Sequence, residues 1–180
     1  MTILKIDSSI TGDNSVSRQL TAAVADQLLA ANPASPVLQR DLVATPLSHL
    51  TLGGSGDQDV LEEFLAADTI VIGAPMYNFT VPSQLKAWID RILVAGTTFR
   101  YTEAGPQGLA GGKRVIVAVS RGGFYDDAHA MEHVKTYLTG IFSFIGITPE
   151  FVHADGINYG PEQRQAGIAS GLAEVERLAA

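Results

Sequence analysis

"DTIVIGAPMYNFTVPSQLKAWIDRIL", residues 68–93, changes its hydrophobic period halfway along. Its first part, 68–74, is a continuous run rich in Ile and Val, the pattern of a strand buried on both faces. From 83 to 95 the apolar residues Leu85, Trp88, Ile89, Ile92 and Leu93 recur at the spacing of a one-sided helix, with Pro82 near its first turn and Gly96 as its stop. A buried strand feeding an amphipathic helix is the repeating element of an α/β sheet.

The same alternation runs along the rest of the chain. Residues 2–8 and 113–120 are further Ile/Val-rich runs, and 36–42 and 147–153 are weaker strand candidates. Helical periods are expected over 17–31, 57–67, 127–145 and 161–179, and the polar stretch 51–59 reads as a loop. Strict alternation predicts one α/β domain over 1–180, a doubly wound five-stranded parallel sheet with helices on both faces and the flavodoxin-like order 2-1-3-4-5. In such sheets ligands sit outside the carboxyl ends of the strands, beside the first strand, which points to the loops after residues 8, 75 and 120.

Composition narrows the function. With 46% hydrophobic and 17% charged residues the chain is too apolar for disorder, and 180 residues suffice for a substantial core. A net charge of -7, with 12 basic residues scattered along the chain, argues against nucleic acid as a partner. The absence of cysteine excludes disulfides, thiolate catalysis and iron–sulfur clusters, so redox chemistry would need a cofactor. The first residues, "MTILKIDSS", lack a signal-peptide pattern and no apolar run has the length of a membrane span, from which a cytoplasmic protein without membrane contact is expected.

Each of the three loops admits two readings. In "SSITGDNSVSRQL" the serines Ser8, Ser9, Ser15 and Ser17 lead into a helix, where a hydroxyl either caps the helix or joins its free N–H groups around a phosphate. Arg18 there adds charge or faces water. The GxGxxG and P-loop patterns are missing, which leaves a monophosphate cradle rather than a dinucleotide site. "APMYNFTVP" either buries Met76, Tyr77 and Phe79 as core or lays them against a flat ligand, with the Asn78 amide at its edge. In "SRGGFYDD", Gly122 and Gly123 make a tight turn or allow backbone N–H groups close to a ligand. At one sheet edge the three together suit flavin mononucleotide: a terminal phosphate, a planar ring, and polar atoms around its pyrimidine end.

These motifs resemble the FMN-dependent NADH azoreductases, which are also quinone reductases. Ser9, Ser15 and Ser17 match that family's phosphate loop, "PMYNF" at 75–79 its isoalloxazine loop and "SRGG" at 120–123 its third flavin loop. "TFRYTEAGPQGL" at 98–109, "FIGIT" at 144–148 and "INYGPE" at 157–162 extend the likeness over essentially the whole chain. The resemblance implies one FMN per subunit, contacted by Ser9, Ser15, Val16, Ser17, Pro75, Met76, Tyr77, Asn78, Phe79, Ser120, Arg121, Gly122 and Gly123. It implies a homodimer with FMN at the interface, where Asn78 and the partner-supplied equivalents of Tyr101 and Phe144 wall the substrate side. It implies NADH or NADPH as donor, quinones and azo compounds as acceptors, and a two-electron ping-pong cycle. A shorter stretch around 45–60 distinguishes this chain from many relatives.

Other residues have plainer readings. His129 and His133, four apart with Glu132 between, lack a third ligand for a metal and are expected on an exposed helix face or a pocket rim. Trp88 belongs to the apolar stripe of its helix, and Asp126 and Asp127 are expected to begin the next one. Two further functions share the fold. A flavodoxin-type electron carrier would show no NADH oxidation with a quinone, and a non-flavin phosphate-binding signalling domain would stay colourless with FMN.

Overall fold

The Ile/Val runs pair side by side in one sheet. The computed structural model describes residues 1–52 and 58–178. Its strands are β1 (Ile3–Asp7), β2 (Val37–Asp41), β3 (Thr69–Pro75), β4 (Phe99–Thr102), β5 (Gly105–Gly108), β6 (Arg114–Ser120) and β7 (Glu150–Ala154). Five of them pair in parallel in the order β2-β1-β3-β6-β7, and β3, the densest apolar run, is buried at every residue in the middle.

The numbering departs from the expected 2-1-3-4-5 because β4 and β5 form a separate antiparallel hairpin between the third and fourth strands of the main sheet. Hydrophobic pattern could not reveal it. Only Phe99 of this hairpin is buried, so its residues carry no alternation of apolar and polar side chains. Its closeness to the body rests on Gly108, where a Cβ would fall 2.2 Å from the Gly146 nitrogen.

The helices are α1 (Val16–Ala31), α2 (Gln58–Ala66), α3 (Ser83–Ile92), α4 (Val134–Phe144) and α5 (Pro161–Arg177). Successive strand residues point to opposite faces, which splits the core in two. Ile70 and Ile72 join Phe64, Trp88 and Phe142 under α2, α3 and α4, whereas Val71 joins Leu20, Val24 and Ile168 under α1 and α5. Trp88 is fully buried, its ring edge-on to Phe64 at 6.1 Å, as its place in the helical stripe requires.

Two helix boundaries are corrected. α3 stops at Ile92, before Gly96, because the Thr98 hydroxyl donates to the Ile92 carbonyl (2.6 Å) and accepts from the Val94 amide (3.0 Å). α4 begins at Val134, not 127, where the buried Glu132 carboxylate accepts from the Lys135 and Thr136 amides. Asp126 and Asp127 therefore precede the helix: Asp126 accepts from the Ala128 amide and Asp127 pairs with Lys135. His129 and His133 share no helical face, His133 being the residue just before α4. Most of the loop expected at 51–59, the first residue of the helix expected at 57–67 and the last of that at 161–179 lie outside the described residues. No helix among the described residues is long and apolar enough to cross a membrane.

Candidate active site at the carboxyl edge of the sheet

Because β1, β3 and β6 run parallel as neighbours, the loops that follow them emerge on one side. A cleft of about 470 Å³ opens there, within the roughly 300–1,000 Å³ usual for small-molecule sites. Ser9, Ser15 and Val16 from the first loop line it, with Pro75, Met76 and Tyr77 from the second and Ser120, Arg121 and Gly122 from the third.

Ser15 is the N-cap of α1, its hydroxyl accepting from the Arg18 amide at 3.2 Å. The same hydroxyl lies 3.2 Å from that of Ser17, and Ser9 lies 3.0 Å from the Thr11 hydroxyl. Capping and anion binding are thus compatible here. The amides of Val16 and Ser17, in the first turn, have no carbonyl four residues back within the helix. Buried, rotatable hydroxyls beside free amides at the positive end of a helix are a donor set for a phosphate. Ser8 is not part of it, since its hydroxyl donates to the Gly73 carbonyl at 2.6 Å.

Arg18 neither faces water nor serves the cleft. Its guanidinium makes a two-pronged pair with Asp41 at 2.7 and 2.9 Å, lies 3.8 Å from Asp7 and donates to the Ser9 carbonyl. The hydrogen bonds from Arg18 hold the Asp41 carboxyl down at about 2, and those to Asp41 raise the guanidinium further.

The "MYNF" loop folds as a tight turn in which Tyr77 and Thr80 exchange both backbone hydrogen bonds. Asn78 and Phe79 at its corners have φ of 48° and 70°. Asn tolerates that region, but a bulky Phe there is strained. The Phe79 carbonyl accepts from the His133 amide and its ring meets Tyr125 edge-on at 6.4 Å. The turn leaves the Asn78 and Phe79 amides without an acceptor among the described residues. Tyr77 ties the loops together, its hydroxyl 3.1 Å from Ser9 Oγ and accepting from the Ile10 amide.

In the third loop Gly122 is a close-approach residue, because a Cβ would fall 2.5 Å from the Asn158 amide nitrogen. Arg121 is matched in charge: it pairs with Asp155 at 2.7 and 2.8 Å and lies 3.6 Å from the buried Glu132, though its buried Nη1 has no hydrogen-bond partner among the described residues. Asn158 and Arg164, beyond β7, also line the cleft. Asn158 falls in "INYGPE", whose match is the signal that could have marked it, whereas nothing local marks Arg164. Phe79, Gly123 and Asn158 border an adjoining hollow with Tyr125 and Tyr159. Tyr101 and Phe144 line neither; they flank Phe99, at 5.6 and 4.7 Å, and Tyr101 is 74% exposed. Among the described residues no cluster of three or more His, Asp or Glu is arranged to hold a metal ion.

The family model for the flavodoxin-like fold matches residues 1–179. An FMN-dependent NADH:quinone oxidoreductase of Bradyrhizobium diazoefficiens is 54% identical over the whole of both chains. The chain belongs to this family. A second member, from Rhizobium meliloti, is also 54% identical, over 94% of this chain and 92% of its own. Among solved structures, the azoreductase AzrA superposes with a TM-score of 0.87 at 30% identity, covering 97% of each chain. The alignment with the Bradyrhizobium member spans 201 positions against a chain of 180 residues, so that relative carries residues this one lacks.

Proposed function

We propose that this protein is an FMN-dependent NADH oxidoreductase that reduces quinones and azo compounds. The observation that carries the reading is the convergence, at one sheet edge, of the buried serines at the start of α1, the strained turn of Asn78 and Phe79, and the close-packed Gly122. The donor set fits a flavin monophosphate. Support for the substrate classes comes from the names of the family members and of the azoreductase of similar structure.

Bound FMN would supply the redox chemistry, a two-electron transfer from NADH to the acceptor in ping-pong order. Ser9, Ser15 and Ser17, with the Val16 and Ser17 amides, hold its phosphate. Pro75 to Phe79 and Ser120 to Gly123 bracket the ring, Arg121 serving there by packing, since its charge is matched by Asp155. The amides of Asn78, Phe79, Gly122 and Gly123 have no acceptor among the described residues and are the groups able to hold negative charge on the ring.

Residues 1–180 act as one such domain, and two copies assemble as a dimer with FMN at the interface, Tyr101 and Phe144 of the second subunit walling the substrate side. The absence of both from the cleft of their own chain favours that arrangement. A cytoplasmic location belongs to the same reading, supported by the availability of NADH as donor there. Steady-state kinetics with FMN, NADH and a benzoquinone test the reading: turnover with parallel double-reciprocal lines is expected, whereas intersecting lines rule out ping-pong and no turnover favours the electron carrier.

A further inference from the structure

The two arginines that line the cleft differ in their partners. Arg121 is buried against Asp155 and Glu132, so the positive charge it brings is cancelled. Arg164, in the first turns of α5, has no carboxylate within 4 Å among the described residues; its guanidinium donates to the Asn14 carbonyl. Asn14 ends the short 3-10 turn Gly12–Asn14 that delivers the chain to Ser15, so Arg164 stands at the serine end of the cleft. Arg18, the cation that the sequence sets beside the serines, is committed to Asp41 and Asp7.

We infer that Arg164 supplies the positive charge that holds the phosphate of the flavin, making this site selective for FMN over riboflavin. The inference rests on the FMN reading above. A phosphate near neutral pH carries more than one negative charge, and this chain has a net charge of -7. Hydroxyls and helix amides contribute only partial charges, so a full cation without an acidic partner is what the serine cradle lacks. The planar guanidinium has donors to spare: one nitrogen is engaged with Asn14 and the others remain for phosphate oxygens. Through Asn14 the same side chain braces the turn that leads into the cradle. The residue comes from the far end of the chain, so the cofactor's phosphate would bridge the first and last helices.

The test is a fluorescence titration of the full-length apo-protein with FMN and, separately, with riboflavin, at low and high salt. Arg164→Gln is expected to weaken FMN binding roughly tenfold or more and to leave riboflavin binding within about twofold, with a shallower salt dependence for FMN. Arg164→Lys, which keeps the charge, is expected to restore much of the preference. Equal weakening of both ligands would mean that Arg164 acts only by bracing Asn14, and unchanged FMN affinity would mean that it does not meet the phosphate; either overturns the inference. Failure of the unmodified protein to bind FMN at all would overturn the cofactor reading along with it, whereas FMN binding with unaltered discrimination in Arg164→Gln removes Arg164 alone.

Discussion

Phe79 occupies a backbone conformation that a bulky residue rarely adopts, at φ 70°, and such strain costs on the order of 1–3 kcal/mol. The surrounding contacts hold it there: the His133 amide on its carbonyl and the Tyr125 ring on its own. What the strain achieves is a turn at the hollow adjoining the cleft, with two backbone amides that have no acceptor among the described residues. Asn78 shares the turn and adds a side-chain amide. Asn78→Gly removes that amide without disturbing a conformation glycine accepts, so stability is expected to change by less than about 0.5 kcal/mol while FMN binding weakens several-fold in fluorescence titration. Unaltered affinity would remove the side chain from the flavin contact. The motif "MYNF" was legible as an anomaly in the sequence. That Tyr77 also clasps the serine loop was not, because its partners Ser9 and Ile10 lie 68 and 67 residues away.

Between elements, two contacts set where the site's parts stand. β2 is clasped to the start of α1 by Asp41 and Arg18. The Asp41 carboxyl is held at about 2 against an ordinary 3.8. A lowered folded-state value means that the stabilisation is complete above the ordinary carboxylate range and is lost as the pH falls from there toward 2. Both groups are partly solvated, so Asp41→Asn is expected to cost about 1–2 kcal/mol at neutral pH. It should cost much less near pH 2, as read by urea unfolding at the two pH values. The β4–β5 hairpin depends on Gly108 in the same way. An alanine there would drive its Cβ into the backbone of Ile145 and Gly146, which cannot yield as a side-chain tip would. Gly108→Ala is expected to lose about 2–3 kcal/mol. With the hairpin displaced, Tyr101 moves, so quinone KM should rise while FMN affinity is spared. The strands of the sheet could be read from their hydrophobic runs, but the hairpin could not, being stabilised by close approach to the end of α4 rather than by an apolar face.

For the molecule as a unit, the division of labour between subunits is open to direct trial. Tyr101 is 74% exposed and apart from the cleft of its own chain, an arrangement with a use if a second copy brings it over the ring. A dimer is expected by analytical ultracentrifugation. Mixing refolded Tyr101→Ala and Asn78→Leu subunits, each impaired alone, should regenerate one intact site per mixed dimer and recover up to roughly a quarter of full activity. Absence of recovery in verified mixed dimers would place both residues in a single subunit's site.

Fold class, the number of main-sheet strands and the loops that make the site all follow from local pattern. Burial on both faces demands continuous apolar runs, a one-sided helix demands apolar residues every three or four positions, and parallel pairing brings the ensuing loops to one edge. Charge pairing has no such local signature, since an ion pair depends on which side chains folding brings within a few ångströms. Arg18 lies beside the serines in sequence yet is committed to Asp41, 23 residues on, while Arg164 lines the cleft and reaches across 150 residues to touch Asn14. The start of α4 is the same case, set by a carboxylate buried against Arg121 rather than by the aspartates that precede it. Apolar periodicity was enough to build the cleft; which arginine in it lacks a carboxylate partner among the described residues was settled by contacts between distant parts of the folded chain.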